Sequence, residues 1–475
     1  MSPTSQPCSM NLFIPVPSSR RSIADVKKLR RSSFMGRPIA ITSRQSRDLI
    51  RQTFQAWPTG DRSWPVGAPV FAVNMTAGFS IPDIAEHSYS GAIDAWTETG
   101  MVRSRGNWLV EIHENVDHLE AEWSALAGRD NATPFQSHGF MRLVFRALTA
   151  NHLAAPVVAL VRSWDGRPVA LFPMMRSRRH GLRWLHTDAR PIDYCAPILD
   201  ASLAADDLPG VIKAVLAAVP GVDLLYCNRV PDRYGETPNP LIGLPNAGRL
   251  RLSAWALKLA ARSADDVVAA RPANFRGNLR RATQKLAQTH RRDFSIAMGG
   301  AIDETDIAAF RELRIAATEE KERANILEEN DWSALYLGLL RGEGGACRGW
   351  LSKLTADGEP IAYLFGISDG RRALATLPAS KLGQWKPYSP GLQLFSESIE
   401  YFRAAGYEYF DLSIGDMVYK RRFGCEEIGL HDALFPKTLA GHAYYLLWRL
   451  KIALRARMKT IAEASDETRK GRKKD

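Results

Sequence analysis

A few short stretches hold residues whose types and spacing could do chemistry. Ser389-Pro390-Gly391 has the makings of a helix start, with a hydroxyl to cap it, a proline in the first turn and a small residue beside it. Free backbone N–H groups and the helix dipole at such a start suit a phosphate, and Gly391 would let that phosphate approach the main chain. Further on, Phe410-Asp411-Leu412 reads as a central strand, and Gly415-Asp416 turns out of it. Carboxylates beside a strand end can take a proton from an amine or orient a cation. Lys420 could stabilise negative charge on a carbonyl oxygen. If a helical turn begins at Asp416, its side chain shares a face with Lys420 at i,i+4. The same residues also suit an ordinary capped helix, two turn caps and a helix-stabilising ion pair, and spacing does not choose between the readings.

Two other groups are weaker. Arg276, Arg280 and Arg281 lie on a basic helix over Asn274–Leu286 and could pair bidentately with a carboxylate or phosphate, or simply form a solvated face. Asp193-Tyr194 could belong to a substrate cleft or to a strand-end turn.

The elements that must position these groups form a mixed series. Hydrophobic patterning predicts strands at Trp108–Ile112, Pro156–Val161, Pro168–Met174, Leu182–Leu185, Ala196–Leu199 and Val222–Cys227. Helices are expected at Val116–Leu126, Phe140–Leu148 and Leu208–Ala218 among them. A comparable order then recurs. Strand Ala254–Leu259, helix Asn274–Thr289 and strand Phe294–Met298 precede helices at Asp303–Glu320 and Trp332–Leu340. Strands Gly349–Leu354, Pro360–Ser368 and Ala373–Leu377 follow, with Asp357-Gly358 and Asp369-Gly370 as hairpin turns. Helix Gly391–Ala404, strand Tyr407–Ser413 and a short Tyr419–Phe423 segment complete it. This is α+β rather than a regular βαβ series, and it suggests a duplicated unit.

Composition narrows the function classes. The chain has 475 residues, about three times a typical domain, and ordinary globular proportions of 45% hydrophobic and 24% charged residues. Cys8, Cys195, Cys227, Cys347 and Cys425 are far apart, and the ten histidines form no H-E-x-x-H, which argues against a disulfide framework or a metal enzyme and suits a reducing cytosol. The net charge is +12, but residues 1–60 contribute +8 and residues 449–475 contribute +6, leaving −2 for the middle. A broad DNA footprint would have to sit on that nearly neutral body, so no DNA partner is expected. Residues 1–104 read as a disordered or mis-annotated N-terminal extension.

The segment Trp385–Gly424 resembles the acetyltransferases of the CelD/BcsL cellulose-biosynthesis type, a branch of the GNAT superfamily. The resemblance rests on Tyr388-Ser389-Pro390-Gly391, on Phe410-Asp411-Leu412, and on Gly415-Asp416 followed by Tyr419-Lys420 and Phe423-Gly424. Looser echoes are Pro134-Phe135-Gln136-Ser137, Asp193-Tyr194, and Arg276 with Asn278, Arg280 and Arg281. It implies two tandem GNAT-like halves with mixed, mainly antiparallel sheets, similar to the Fem peptidoglycan aminoacyltransferases. It also implies acyl transfer from acyl-CoA, whose pantetheine lies between splayed strands and whose pyrophosphate sits on a loop opening a helix. On this chain the cofactor-binding set becomes Gln384, Tyr388, Ser389, Gly391 and Leu392, with Ile361–Ile367 as the strand facing the pantetheine. The substrate-binding set becomes Asp193, Tyr194, Arg276, Arg280, Arg281 and Trp385, and the catalytic set Asp416, Lys420, Asp411 and Tyr419. The usual GNAT pyrophosphate loop, with its Arg/Gln and spaced glycines, is absent.

The expected organisation is an N-terminal half at 105–235, a C-terminal acyltransferase half at 236–440, and an amphipathic helix with a basic tail at 441–475. The expected co-substrate is acyl-CoA, acetyl-CoA foremost, with no metal. The expected acceptor is a small molecule or saccharide, in exopolysaccharide or cellulose synthesis. Fem-like transfer from charged tRNA, which the neutral body disfavours, and a non-catalytic GNAT-like scaffold are the alternatives. The expected location is the cytoplasm. There the C-terminal helix either packs on the domain or makes peripheral contact with the inner face of the membrane or polysaccharide-synthesis machinery.

Overall fold

The computed structural model describes residues 94–97, 100–105 and 107–453, except 129, 152, 320–324, 328 and 329. All belong to one compact unit, His87–Asp475. The disorder expected for 1–104 falls mostly outside the described residues. Its last part does not match, because Asp94–Thr97 and Gly100–Arg105 are strands that extend the sheet beyond Trp108–His113.

One order of elements occurs twice. In the first half, strand Trp108–His113 is followed by helices Glu120–Leu126 and His138–Ala150, then strands Ala155–Ser163, Pro168–Arg179 and Leu182–His186. Helix Leu208–Ala218 and strand Leu224–Pro231 close it. In the second half, strand Arg292–Met298 is followed by helices Glu304–Glu319 and Asn330–Leu340, then strands Arg348–Ala356, Glu359–Ser368 and Arg372–Ser380. Helix Pro390–Ala404 and strand Tyr409–Ile414 close that one. In both halves the first four strands pair antiparallel in sequence order. The last strand pairs parallel to the fourth, which requires the helical crossover between them.

Two more strands fuse the halves. Ala247–Lys258 pairs antiparallel with Tyr409–Ile414, and Glu426–Pro436 pairs antiparallel with both Ala247–Lys258 and Leu224–Pro231. Among the described residues the result is one sheet of 15 strands. The sequence predicts no strand over 426–436, where Gly429, His431 and Asp432 interrupt the apolar run, yet Leu430, Ala433 and Leu434 are fully buried there. The short segment near Tyr419 is a helix, Val418–Arg422.

Core packing fixes the second half around the crossover helix. Leu394, Ile399 and Phe402 on Pro390–Ala404 join Trp350, Leu364, Ala373 and Phe410 in one buried cluster. Gly366 is required: a Cβ there would lie 2.3 Å from the Trp350 ring and 2.0 Å from the Leu374 carbonyl oxygen. The indole uses the space, and its Nε1 donates to the Ile367 carbonyl at 3.2 Å. At the end of the described chain, a helix over 439–453 packs Tyr444, Tyr445 and Trp448 against Trp184, Leu224 and Leu434.

Candidate active site

The site begins where two parallel strands part. Arg372–Ser380 and Tyr409–Ile414 are paired only from Arg372–Tyr409 to Leu374–Asp411. On its other edge, Tyr409–Ile414 bulges against Ala247–Lys258: Ala254 stands opposite Ile414 and Ala256 opposite Asp411, so Leu412 and Ser413 face the single residue Trp255. Ser413 takes a φ of 60° to do this, and a bulge of this kind bends its strand and re-aims side chains. The gap opens into a cavity of about 240 Å³, lined by Ala375–Pro378 on one side and Leu412–Ile414 on the other. Asp193, Phe395, Tyr419 and Lys420 also line it.

Behind the bulge runs a polar chain. The Tyr194 hydroxyl donates to the Asp411 carboxylate, at 2.8 Å from Oδ2 and 3.0 Å from Oδ1. The Ser413 N–H donates to Asp411 Oδ1 at 2.7 Å, and the Ser413 hydroxyl donates to Asp193. Burial pushes Asp411 above the usual carboxylate range, while the buried Arg372 guanidinium, the backbone and the Tyr194 hydroxyl pull the other way. Burial also raises Asp193, against the pull of Ser413, Arg229 and Lys420. The Tyr194 phenol is raised well above its ordinary value by burial and by Asp411.

Lys420 is 3% exposed, and its Nζ donates to the Ser413 carbonyl at 2.9 Å and the Ile414 carbonyl at 2.7 Å. Burial lowers its pKa to about 8, with Asp411 and Asp193 opposing. Burial also pushes the Tyr419 phenol up to about 12. A lysine lowered to about 8 and a carboxylate raised above its ordinary value, on one cavity wall, are suited to moving a proton and steadying charge.

The other sequence candidates sit elsewhere. The helix begins at Val418, after Met417, so Asp416 is not on it and the i,i+4 face with Lys420 does not form. Asp416 is exposed and accepts a hydrogen bond from Trp255 Nε1 at 3.2 Å, while Lys420 turns back to the strand carbonyls. Arg276, Arg280 and Arg281 do not line the cavity. Arg276 donates to the Ala269 carbonyl, Arg281 donates to Asn278, and Arg280 is exposed.

The segment expected to hold pyrophosphate forms a 3-10 turn, Gly383–Tyr388, directly after the splayed strand. Gln384 is exposed at its start, and Trp385 is buried with its ring 5.1 Å from that of His290 and 5.9 Å from that of Tyr388. Ser389 caps helix Pro390–Ala404 without its hydroxyl: at φ 48° its carbonyl accepts the Leu392 and Gln393 N–H groups. Gly391 is not sterically demanded, since a Cβ would meet Ser380 Oγ at an ordinary 3.5 Å. Leu392 packs partly buried on the second-half core. Lys285, which the sequence does not single out, stands 5.4 Å over the Tyr388 ring. Glu359–Ser368, which holds Ile361–Ile367, is hydrogen-bonded to a neighbour on each edge, so the parting strand is Arg372–Ser380 instead.

The first half has the corresponding parallel pair but fills its own gap. Leu182–His186 and Leu224–Pro231 pair from Trp184–Leu224 to His186–Tyr226. The chain that follows bonds straight across, with the Cys195 N–H on the Arg229 carbonyl and the Arg229 guanidinium on the Ala189 carbonyl. That plug is the loop which delivers Asp193 and Tyr194 to the second half. Ser413 and Arg372 were not legible as site residues. A bulge leaves no mark in residue type, and Arg372 follows an ordinary hairpin turn.

Among the described residues no cluster of three His, Cys, Asp or Glu could hold a metal ion. Residues 273–421 match the model of the acetyltransferase (GNAT) domain. No curated protein matches the chain in sequence. Among solved structures, FemX aligns with a TM-score of 0.50 at 10% identity, covering 71% of this chain and 99% of its own. A conserved protein from Bacteroides thetaiotaomicron gives 0.45 at 12% identity, with 69% and 99% covered. A tandem GNAT protein from the clavulanic acid biosynthesis pathway gives 0.41 at 13%, also with 69% and 99% covered. These matches do not single out the cellulose-biosynthesis branch. The chain has the GNAT fold in two tandem halves, and residues 273–421, in its second half, match the GNAT acetyltransferase domain.

Proposed function

We propose that this chain transfers an acyl group, acetyl foremost, from acyl-CoA to an amine or hydroxyl of a sugar-type acceptor. An exopolysaccharide such as cellulose is the pathway the sequence resemblance favours. The observation that carries the reading is the parting of Arg372–Ser380 from Tyr409–Ile414 around a cavity that holds Lys420 and Asp193. The thioester arm fits along Ala375–Pro378, where pairing to the neighbouring strand has ended. The turn that follows, with Lys285 over Tyr388, suits the diphosphate.

The acceptor's nitrogen or oxygen attacks the thioester carbonyl carbon, the C–S bond breaks, and the thiolate leaves to take up a proton. Asp193 accepts the acceptor's proton, the role the sequence suggested for Asp416. Lys420 offers an N–H to the carbonyl oxygen as charge gathers there. Asp411 and Tyr194 hold the bulge that positions both groups. The test is release of free thiol from acetyl-CoA and longer acyl-CoAs with a panel of amino sugars and neutral saccharides. Acceptor-dependent release is expected. Release with none of them, and transfer from charged tRNA instead, would replace this reading with the Fem-like one.

A further inference from the structure

The helix over 439–453 has two apolar faces, and the described residues cover only one of them. Tyr444, Tyr445 and Trp448 turn inward onto Trp184, Leu224 and Leu434. On the other side, Leu439 is 92% exposed, Leu446 67%, Leu447 66% and Leu450 56%. Leu439, Ala443, Leu446 and Leu450 recur at helical spacing, so they form one continuous outward stripe. Beside the helix lies an open groove of about 630 Å³, lined by Ile212, Leu216, Leu244, Pro245 and Phe435 with Lys213 at its edge.

Charge decides what could cover this surface. Residues 437–453 contain Lys437, His442, Arg449 and Lys451 and no Asp or Glu, and residues 449–475 carry a net charge of +6. The N-terminal residues 1–60 carry +8 and would be repelled. A second copy laid on the same stripe would bring Arg449 and Lys451 against their own kind. An anionic partner that also accepts leucine side chains satisfies both features, and a lipid surface is such a partner, whereas a nucleic acid offers nothing to the leucines.

We infer that the outer face of helix 439–453, with the adjoining groove, docks the protein onto an anionic membrane surface. Leu439, Leu446, Leu447 and Leu450 enter the acyl boundary while Arg449 and Lys451 meet the headgroups. No helix of the described residues is long and apolar enough to cross a membrane, so this contact is peripheral. The inference is independent of the acyl-transfer reading.

The experiment is co-sedimentation of the full chain with phosphatidylcholine vesicles, with and without about a third phosphatidylglycerol. Binding is expected only to the anionic vesicles, weakening as salt rises. Leu446→Glu/Leu450→Glu, at exposed positions, is expected to keep the wild-type melting temperature and to bind at least about tenfold more weakly. Should that variant unfold, Leu446→Ser/Leu450→Ser takes its place. A wild-type protein that stays in the supernatant would overturn the inference. So would leucine variants that bind like wild type, because the basic tails alone would then account for the binding.

Discussion

The hydroxyl of Tyr194 donates to both carboxylate oxygens of Asp411, 217 residues later in the chain, in a pairing sealed from solvent. The contact joins the plug of the first half to the central strand of the second, just where the parallel strands part. Tyr194→Phe leaves a buried carboxylate short of a donor, which costs about 1–3 kcal/mol. A lower denaturant midpoint at unchanged m is expected. A double-mutant cycle with Asp411→Asn should give a coupling of about 0.5 kcal/mol or more, whereas simple additivity would mean the two groups do not act together.

Lys420 ties the bulge to the cavity, and its lowered pKa sets a pH limit. With a pKa of about 8 in place of 10.5, it is charged below pH 8 and neutral above. If the cation steadies the carbonyl oxygen, turnover should fall as pH rises through 8. Lys420→Met should lose roughly 100-fold or more. Its stability should change little, because the two carbonyls it abandons offset the relief of removing a buried charge. Lys420→Arg should remove the alkaline limb. A rate that climbs above pH 8 would make Lys420 a base instead.

Asp193 and Asp416 make opposite predictions. Asp193 lines the cavity and bonds Ser413, while Asp416 is exposed beside Trp255. Asp193→Asn should lower turnover by roughly 100-fold or more with acyl-CoA affinity kept, and Asp416→Asn should leave it within about threefold. The reverse order would return the proton-accepting role to Asp416.

These assignments also show what could be read in advance. Helix Leu208–Ala218, hairpin Glu359–Ser380 and crossover Pro390–Ala404 were legible because periodicity and turn residues agree there. Strand Glu426–Pro436 was not, because Gly429, His431 and Asp432 break its pattern and its partners lie in both halves. Asp411, Lys420 and Asp193 could be named as candidates from their types and setting. Their grouping could not, since it depends on a positive φ at Ser413 and on a contact between residues 220 positions apart.

Two carboxylates on the first half are expected to contribute to the acid limit of stability. Burial alone would raise Glu111, yet hydrogen bonds with His113 and Arg162 hold it at about 2. Burial likewise opposes His186 and Arg179 at Asp188, which is also held at about 2. Both folded values are depressed, so their stabilisation is present above the ordinary values of 4.5 and 3.8 and is lost as pH falls toward 2. Melting temperature should drop through that window, and less steeply in Glu111→Gln. An unchanged slope in that variant would show that the Glu111–Arg162 pair does not drive it.

The roles given to Lys420 and Asp193 require acyl-CoA to bind in the cavity between the parting strands. Calorimetric titration of the full chain with acetyl-CoA and longer acyl-CoAs tests it, alongside Thr376→Trp, which places an indole in the space lined by Thr376 and Ser413. Saturable binding by the wild type is expected, with affinity at least about tenfold lower in the folded variant. Equal binding by both proteins, or no heat from the wild type with any acyl-CoA, would contradict it.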